Sequence, residues 1–430
     1  MKRLLPFLAG LSFLLPGCAN FRKLSSDLKI IENGYRIAGV IENRDSYKAP
    51  VRVAVVEWDR AAGEVYTGDR LDLTTGGAFA FMVKSPLNQH VAAFADENGN
   101  GRVDAGEPAW LHTDASGKPA PVTVDLEKRR VVVSGHLSKS TRIPPALLEA
   151  IQRKLAGRTA EEVMTRQGAR FAVGEIADPD DPRFAATRGE DGLWSPATMA
   201  IQTGAGVYFL QPYDPSRIPV LFVHGAGGSP QDWRLAMDKI DRRRYQPWFY
   251  FYPSGGRLET IAEALNEGVK RLHSRYRFNR LHVVAHSMGG LMSRRFIQKN
   301  VLEDKNTYIN TFITFSSPWD GHEAAAMGVK WSPSVVPSWR DMENGSDFLD
   351  HLFDQRLKGR VNHHLFYSHR ASRSPIMPAE NDGVVSLPSQ LRPEAVADAV
   401  SVQGYNEDHM SILVAKDPLK RAEKILDETR

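Results

Sequence analysis

The sequence predicts an α/β fold, a mostly parallel sheet with helices on both faces, preceded by a small all-β sandwich domain. Three observations carry this. From residue 216 onward, short apolar runs rich in β-branched residues alternate with stretches of helical spacing. Before residue 136, short apolar runs recur with Gly, Asn and Asp in the gaps, the pattern of a small sandwich. A chain of 430 residues with 42% hydrophobic content is long enough for two or three domains with their own cores.

The chain opens with Lys2 and Arg3, continues through an apolar run from Leu4 to Leu15 and reaches LPGC at residues 15–18. A run of about a dozen apolar residues is too short to span a bilayer and suits the core of a signal peptide. The stretch resembles a bacterial lipoprotein signal, with the small Gly17 before the only cysteine, Cys18, and a less usual Pro16 within the box. The resemblance implies that residues 1–17 are removed, that Cys18 is acylated and anchors the chain to a membrane, and that 18–33 is a polar tether. Ala19, where an aspartate retains such proteins in the inner membrane of some bacteria, implies the outer membrane. A plain secreted protein cut nearby is the alternative. One cysteine excludes internal disulfides and any C-x-x-C site, and an acylated Cys18 leaves no thiol nucleophile. The net charge of +4 falls to +2 without Lys2 and Arg3, so charge gives no reason to expect a nucleic-acid partner.

Residues 34–135 form the expected sandwich, Ig-like or transthyretin-like in shape, with strands at Tyr35 to Ile41, Val51 to Trp58, Phe79 to Val83, Val91 to Ala95 and Val131 to Val133. Within it DENGNGRVDAGE, residues 96–107, follows the register of an EF-hand loop. Asp96, Asn98 and Asn100 stand at positions one, three and five, Gly101 at six, Asp104 at nine and Glu107 at twelve. No amphipathic helices flank it. Two readings stay open, a structural calcium held in a strand-flanked loop, and a β-turn whose Asn and Gly supply left-handed conformations.

Residues 136–204 read as a helical linker and the start of the second domain. Leu147, Leu148, Ile151 and Leu155 share one helix face, and Thr159 with Glu162 forms a capping box. The second domain covers residues 205–430. After an early strand at Val207 to Leu210, strands are expected at Val220 to Val223, Trp248 to Tyr252, Leu281 to Ala285, Ile309 to Phe315, Leu365 to Ser368 and Ala399 to Gln403. Leu258, Ile261, Ala262, Leu265, Val269 and Leu272 mark one apolar helix face between the second and third of these six.

The chemistry centres on RLHVVAHSMGGLM, residues 280–292. A strand turns there into a helix at Ser287, which exposes a hydroxyl on a tight turn and aims the Met288 backbone N–H at a developing oxyanion. The stretch resembles the nucleophile elbow of α/β-hydrolases, with Ala285 where the usual pattern has Gly. Upstream, VLFVHGAGGSPQDW at 220–233 resembles the oxyanion loop of lipases and esterases, which implies Ala226 N–H as the second donor; a P-loop is excluded because no Lys-Ser/Thr follows. Downstream, His409 in NEDHMSIL follows the last expected strand, and Asp382 in ENDGVVSL lies 27 residues before it. The order Ser, Asp, His is that of an α/β-hydrolase triad. Asp320, in SSPWDGH, is a rival acid. His224 and His286 read as structural supports.

The combination HG-x-G-G, A-H-S-M-G-G and S-S-P-W-x-G-H is similar to lipases and the glycosylphosphatidylinositol inositol-deacylase-like group, over roughly residues 205–415. The resemblance implies an α/β-hydrolase that cleaves carboxylic esters through Ser287, His409 and Asp382 with no cofactor for catalysis. It also implies a lipid or other ester as substrate, and Trp319, Trp331 and Trp339 lie at 317–345, where many lipases carry a cap, core of an ordinary loop being the equal alternative. An acyltransferase with the same acyl-enzyme, and a non-catalytic envelope-binding or adhesion protein, are the competing readings.

Overall fold

The structure is a computed structural model that describes residues 18–59, 64–73, 75–100, 102–104, 106–155, 168–370 and 378–428. The expectations placed on residues 1–17, on Gly101 and on the Thr159–Glu162 capping box lie outside the described residues. The chain divides into two compact units, one of Asp27–Glu175 with Ala197–Gly206, the other of Ile176–Pro196 and Val207–Arg430 with the described residues up to Ser26. Residues 18–33 are not a tether but a helix, α1 (Cys18–Asn33). Phe21, Leu24 and Leu28 recur at helical spacing, and Leu24 is fully buried. Among the described residues no helix is long and apolar enough to cross a membrane.

The first unit is a sandwich. Its strands are β1 (Tyr35–Ile41), β2 (Val51–Asp59), β3 (Glu64–Leu73), β4 (Ala78–Val83), β5 (Gln89–Ala95), β6 (Ala109–Leu111), β7 (Arg130–Gly135) and β8 (Gly168–Ile176). They form two sheets, in the orders β8-β4-β1-β7 and β3-β2-β5-β6. Every second residue points into one core, with Ile37 and Ile41 of β1, Phe79 and Phe81 of β4, Val53 and Val55 of β2, and Val91 and Ala93 of β5 in contact. The other faces of β2 and β5 are buried as well. Ala54, Val56 and Ala92 pack with Leu147 and Ile151 of α2 (Pro145–Leu155), which explains why β2 reads as a continuous apolar run. This unit therefore outruns the expected 34–135, since α2 and β8 come from the stretch expected to be linker.

The second unit holds β9 (Ala205–Phe209) from Val207 onward, β10 (Ile218–Val223), β11 (Tyr245–Phe251), β12 (Leu281–His286), β13 (Ile309–Phe315), β14 (Asn362–Ser368) and β15 (Ser401–Tyr405). Their order is β9-β11-β10-β12-β13-β14-β15. β10 pairs in parallel with both β11 and β12, and the parallel pairing continues through β13, β14 and β15. The chain runs from β10 outward to β11 and then returns to the other side of β10 as β12. That reversal makes the carboxyl ends of β10 and β12 the topological switch point, where an open α/β sheet opens a crevice. The Ser287 turn and the His-Gly loop both leave from there. The helix between β11 and β12, α3 (Leu258–Tyr276), buries the expected face of Leu258, Ile261, Ala262, Leu265, Val269 and Leu272.

The helix that follows β12, α4 (Met288–Ile297), is fixed from behind. Arg294, fully buried, pairs with Asp398 at 2.7 Å and donates to Leu352 O at 2.9 Å. Asp398 also accepts the N–H groups of Leu357 and Lys358. A buried ion pair with its remaining bonds satisfied adds little net stability, yet it fixes a register, because breaking it strands a charge. The register fixed here is that of the helix whose first turn carries Ser287.

Candidate active site

Ser287 joins β12 to α4 with φ 53° and ψ −132°, outside the regions that a residue with a Cβ normally adopts. Its N–H donates to Phe315 O at 2.8 Å, and its carbonyl accepts Gly290 N–H at 2.9 Å, so the turn is held at both ends. Met288 is the first residue of α4, and its N–H has no acceptor within the helix. The tight turn requires glycine next to it. A Cβ on Gly289 would come within 2.3 Å of His224 O.

That contact brings in the His-Gly loop. A Cβ on Gly225 would stand 3.0 Å from the Cβ of Ser287, so the loop that carries the half-buried Ala226 runs close to Ser287. Tyr252 Oη donates to His224 O at 2.6 Å, and Gly227 N–H donates to Ser254 Oγ at 2.9 Å, fixing the bend. His224 stacks on Tyr252 with centroids 4.2 Å apart.

Asp382 and His409 meet on two loops that follow β14 and β15. His409 Nδ1–H donates to Asp382 Oδ2 at 2.9 Å, and His409 N–H donates to Asp382 O at the same distance. Asp382 is 0% exposed and His409 5%. Burial works against the Asp382 charge, but the facing His409 charge and the bonds from His409, Ser368 and Val385 N–H more than offset it, holding the carboxyl below its ordinary range. With Nδ1 committed as donor, Nε2 of a neutral His409 is the free lone pair. His286, directly before Ser287, donates Nε2–H to His409 O at 2.9 Å, and the two rings lie 4.6 Å apart. Ser287, itself 8% exposed, is thus one residue from a direct contact with the His409 loop. Among the described residues no hydrogen bond joins the Ser287 hydroxyl to His409; such contacts commonly tighten only around substrate.

Asp320 occupies a different setting. Its side chain is 56% exposed and faces Arg392 at 3.7 Å. Nothing draws it to His409. Ser368, Ser316 and Gln390, which gather around Asp382, carry no signal in the sequence, since no spacing rule links residues 316, 368 and 390. The Pro- and Trp-bearing insertion divides. Trp319 is 0% exposed and packs edge-on against His363 at 5.4 Å, so it is core. Trp331 ends α5 (Glu323–Trp331) at 74% exposure, and Trp339, in α6 (Pro337–Met342), meets Trp194 edge-on at 5.5 Å.

In the 96–107 loop, Asp96 pairs with Arg52, the side-chain amides of Asn98 and Asn100 donate to Asp104 Oδ2, and Glu107 accepts the N–H groups of Glu97 and Asp104. These contacts use on protein donors carboxylate oxygens of Asp96, Asp104 and Glu107 that the register assigned to calcium. Among the described residues no group of three or more His, Cys, Asp or Glu side chains is disposed to hold a metal ion.

Burial pushes five histidine rings to about 4 or below, His224, His282 and His364 to about 4, His286 and His363 to about 3. In the unfolded chain such rings titrate near about 6.5. Between these values the unfolded chain takes up protons that the folded one refuses, so the full stability present above about pH 6.5 is lost progressively as pH falls towards 4 and 3. The melting temperature measured from pH 8 down to pH 4 is expected to fall most steeply below about pH 6.5; a flat profile would show that these rings take up protons without unfolding.

Residues 214–344 match the family described as "Putative serine esterase (DUF676)". Among curated proteins there is no match. Solved structures with similar folds include the lin2722 gene product of Listeria innocua, 15% identical over 50% of this chain and 95% of that one, with a TM-score of 0.39. The mature lipase BlEst2 of Bacillus licheniformis is 17% identical over 51% of this chain and 97% of that one, with a TM-score of 0.40. The phospholipase PlaB of Legionella pneumophila is 17% identical over 40% of this chain and 44% of that one, with a TM-score of 0.34. At such identities and TM-scores these likenesses carry no functional argument. What stands is a serine in a strained strand-to-helix turn at the switch point of a parallel sheet: residues 214–344, which hold it, match the family described as "Putative serine esterase (DUF676)", and the unit that holds them has the α/β-hydrolase fold.

Proposed function

We propose that the protein is a membrane-anchored serine hydrolase that cleaves carboxylic esters, with Ser287 as nucleophile, His409 as general base and acid, Asp382 as its partner, and the N–H groups of Ala226 and Met288 as oxyanion donors. The observation that carries the reading is the buried Asp382–His409 bond at 2.9 Å, one contact from a serine in a strained strand-to-helix turn. His409 Nε2 takes the Ser287 proton as Oγ bonds to the ester carbon, and the carbonyl electron pair moves onto oxygen, facing the two N–H groups. Collapse breaks the bond to the alcohol, which leaves with the proton from His409. Water then repeats the sequence on the acyl-enzyme. Asp382, held ionised, stabilises the imidazolium and fixes its tautomer.

A lipid ester is the substrate class this reading favours, supported by the acylation that the sequence around Cys18 implies and by the exposed Trp331. Hydrolysis of p-nitrophenyl esters from short to long chain, by wild type and Ser287→Ala, tests the activity and reads acyl preference; equal rates in both would defeat it. The anchor predicts that the wild-type chain partitions into the detergent phase of a cell extract and that Cys18→Ala does not. Calcium in the 96–107 loop requires Asp96 to exchange Arg52 for the ion. Binding would raise the melting temperature with added calcium in wild type and not in Asp96→Ala, and no shift in wild type would leave the loop a turn.

A further inference from the structure

We propose that Ser368, backed by Ser316 and clamped by Gln390, is a positioning residue that sets the orientation and basicity of Asp382 towards His409. The inference rests on the reading of Asp382 and His409 as a catalytic pair. Ser368 Oγ lies 2.6 Å from Asp382 Oδ2, the same oxygen that takes His409 Nδ1–H at 2.9 Å. Ser316 Oγ lies 2.6 Å from Ser368 Oγ. A carboxylate only accepts, so the one hydroxyl hydrogen of Ser368 is committed to Asp382. The hydrogen between the two serines must then come from Ser316, and the chain runs one way, from Ser316 through Ser368 to Asp382. All three side chains are buried without exposure.

Gln390 locks the middle of this chain. Its Oε1 accepts Ser368 N–H at 3.0 Å, and its Nε2 donates to Ser368 O at 3.0 Å and to Asp382 Oδ2 at 3.2 Å. The other carboxylate oxygen is filled by the N–H groups of Val384 at 3.0 Å and Val385 at 2.7 Å. Ser316 itself sits at φ 50°, a left-handed conformation unfavourable to a residue with a Cβ. Strain at the first member of a buried polar chain that ends on Asp382 is what a site built for that chain retains.

Donation from Ser368 draws charge off Asp382 Oδ2 and fixes where the lone pair facing His409 points. Without it the carboxylate pulls harder on His409 Nδ1–H, and the imidazole gains proton affinity while losing its fixed aim. The titratable groups facing Asp382 are His409, His286 and His322, and burial lowers the last two, His286 to about 3. The acid limb of the rate profile therefore reports the Asp382–His409 pair.

The test compares full-length wild type with Ser368→Ala, Ser368→Thr and Ser316→Ala in p-nitrophenyl ester hydrolysis across pH. Ser368→Ala is expected to lose about 10- to 100-fold in kcat with little change in KM, and to move the acid limb of kcat/KM upward by roughly half a pH unit. Ser368→Thr, which keeps the hydroxyl, recovers most of kcat. Ser316→Ala gives a smaller loss of the same kind, because Ser368 can still donate. The low-field proton resonance of the His409–Asp382 bond shifts in Ser368→Ala. An unmoved limb and resonance in a folded Ser368→Ala overturn the proposal even if kcat falls. Should that variant not fold, an unmoved limb in Ser316→Ala overturns it. A wild type that neither turns over esters nor acylates at Ser287 overturns the underlying reading instead, before any variant is compared.

Discussion

Ser287→Ala is expected to lower kcat for ester hydrolysis by at least about three orders of magnitude, with the fold and melting temperature nearly unchanged. The size follows from what the hydroxyl does. Removing it leaves the crevice, the two oxyanion N–H groups and His409 in place, so binding and a residual electrostatic contribution survive while the covalent route is closed. The structural cost is small because the strain at φ 53° belongs to the backbone, which Ala must adopt as well, and the turn is held by the Ser287 N–H and carbonyl rather than by the hydroxyl. Measured kcat and KM separate this from a folding defect. A loss of kcat/KM carried by KM alone would mean that Ser287 binds substrate and does not attack it.

Asp382→Asn is expected to lower kcat by about four orders of magnitude. The amide keeps the volume but presents either N–H₂ or a weaker oxygen to His409, and in the first case the ring must turn its proton to Nε2, which then cannot act as base. Asp320→Ala is expected to change kcat by less than about three-fold, since that carboxylate is exposed and its near partner is Arg392. The pair of variants decides between two acids that sequence spacing alone leaves open. A larger loss at Asp320 would relocate the acid to the loop after β13 and leave the buried Asp382 as a structural anchor for His409.

Much of this was legible in the residues. The strands around the site are unbroken β-branched or aromatic runs because a parallel sheet is covered on both sides, and such runs are visible without a structure. β3 was not, since EVYTGDRLDL holds no unbroken apolar run and carries Gly68 in its middle. α1 was hidden by its polar majority, although Phe21, Leu24 and Leu28 hold the helical period. β8 lay inside a stretch whose helical face dominated the reading. The site divides in the same way. Ser287, Asp382 and His409 could be named because turn, spacing and chain order each leave a trace in one dimension. Ser368 and Gln390 could not, because a serine at a strand end and a glutamine in a short helix acquire their role only when β14 brings them against the Asp382 loop. Trp319 shows the converse. Its place in a Trp-bearing insertion leaves a cap and the core of a loop equally open, and its burial against Phe312 and His363 makes it core.

The most direct measurement is the location of a covalent adduct. Treated with a fluorophosphonate and digested, the wild-type protein should carry the added mass on the peptide containing Ser287 and on no other, and His409→Ala should take up the label far more slowly. Label found on a different residue, or at the same rate in Ser287→Ala as in wild type, would contradict the assignment of this hydroxyl as the nucleophile.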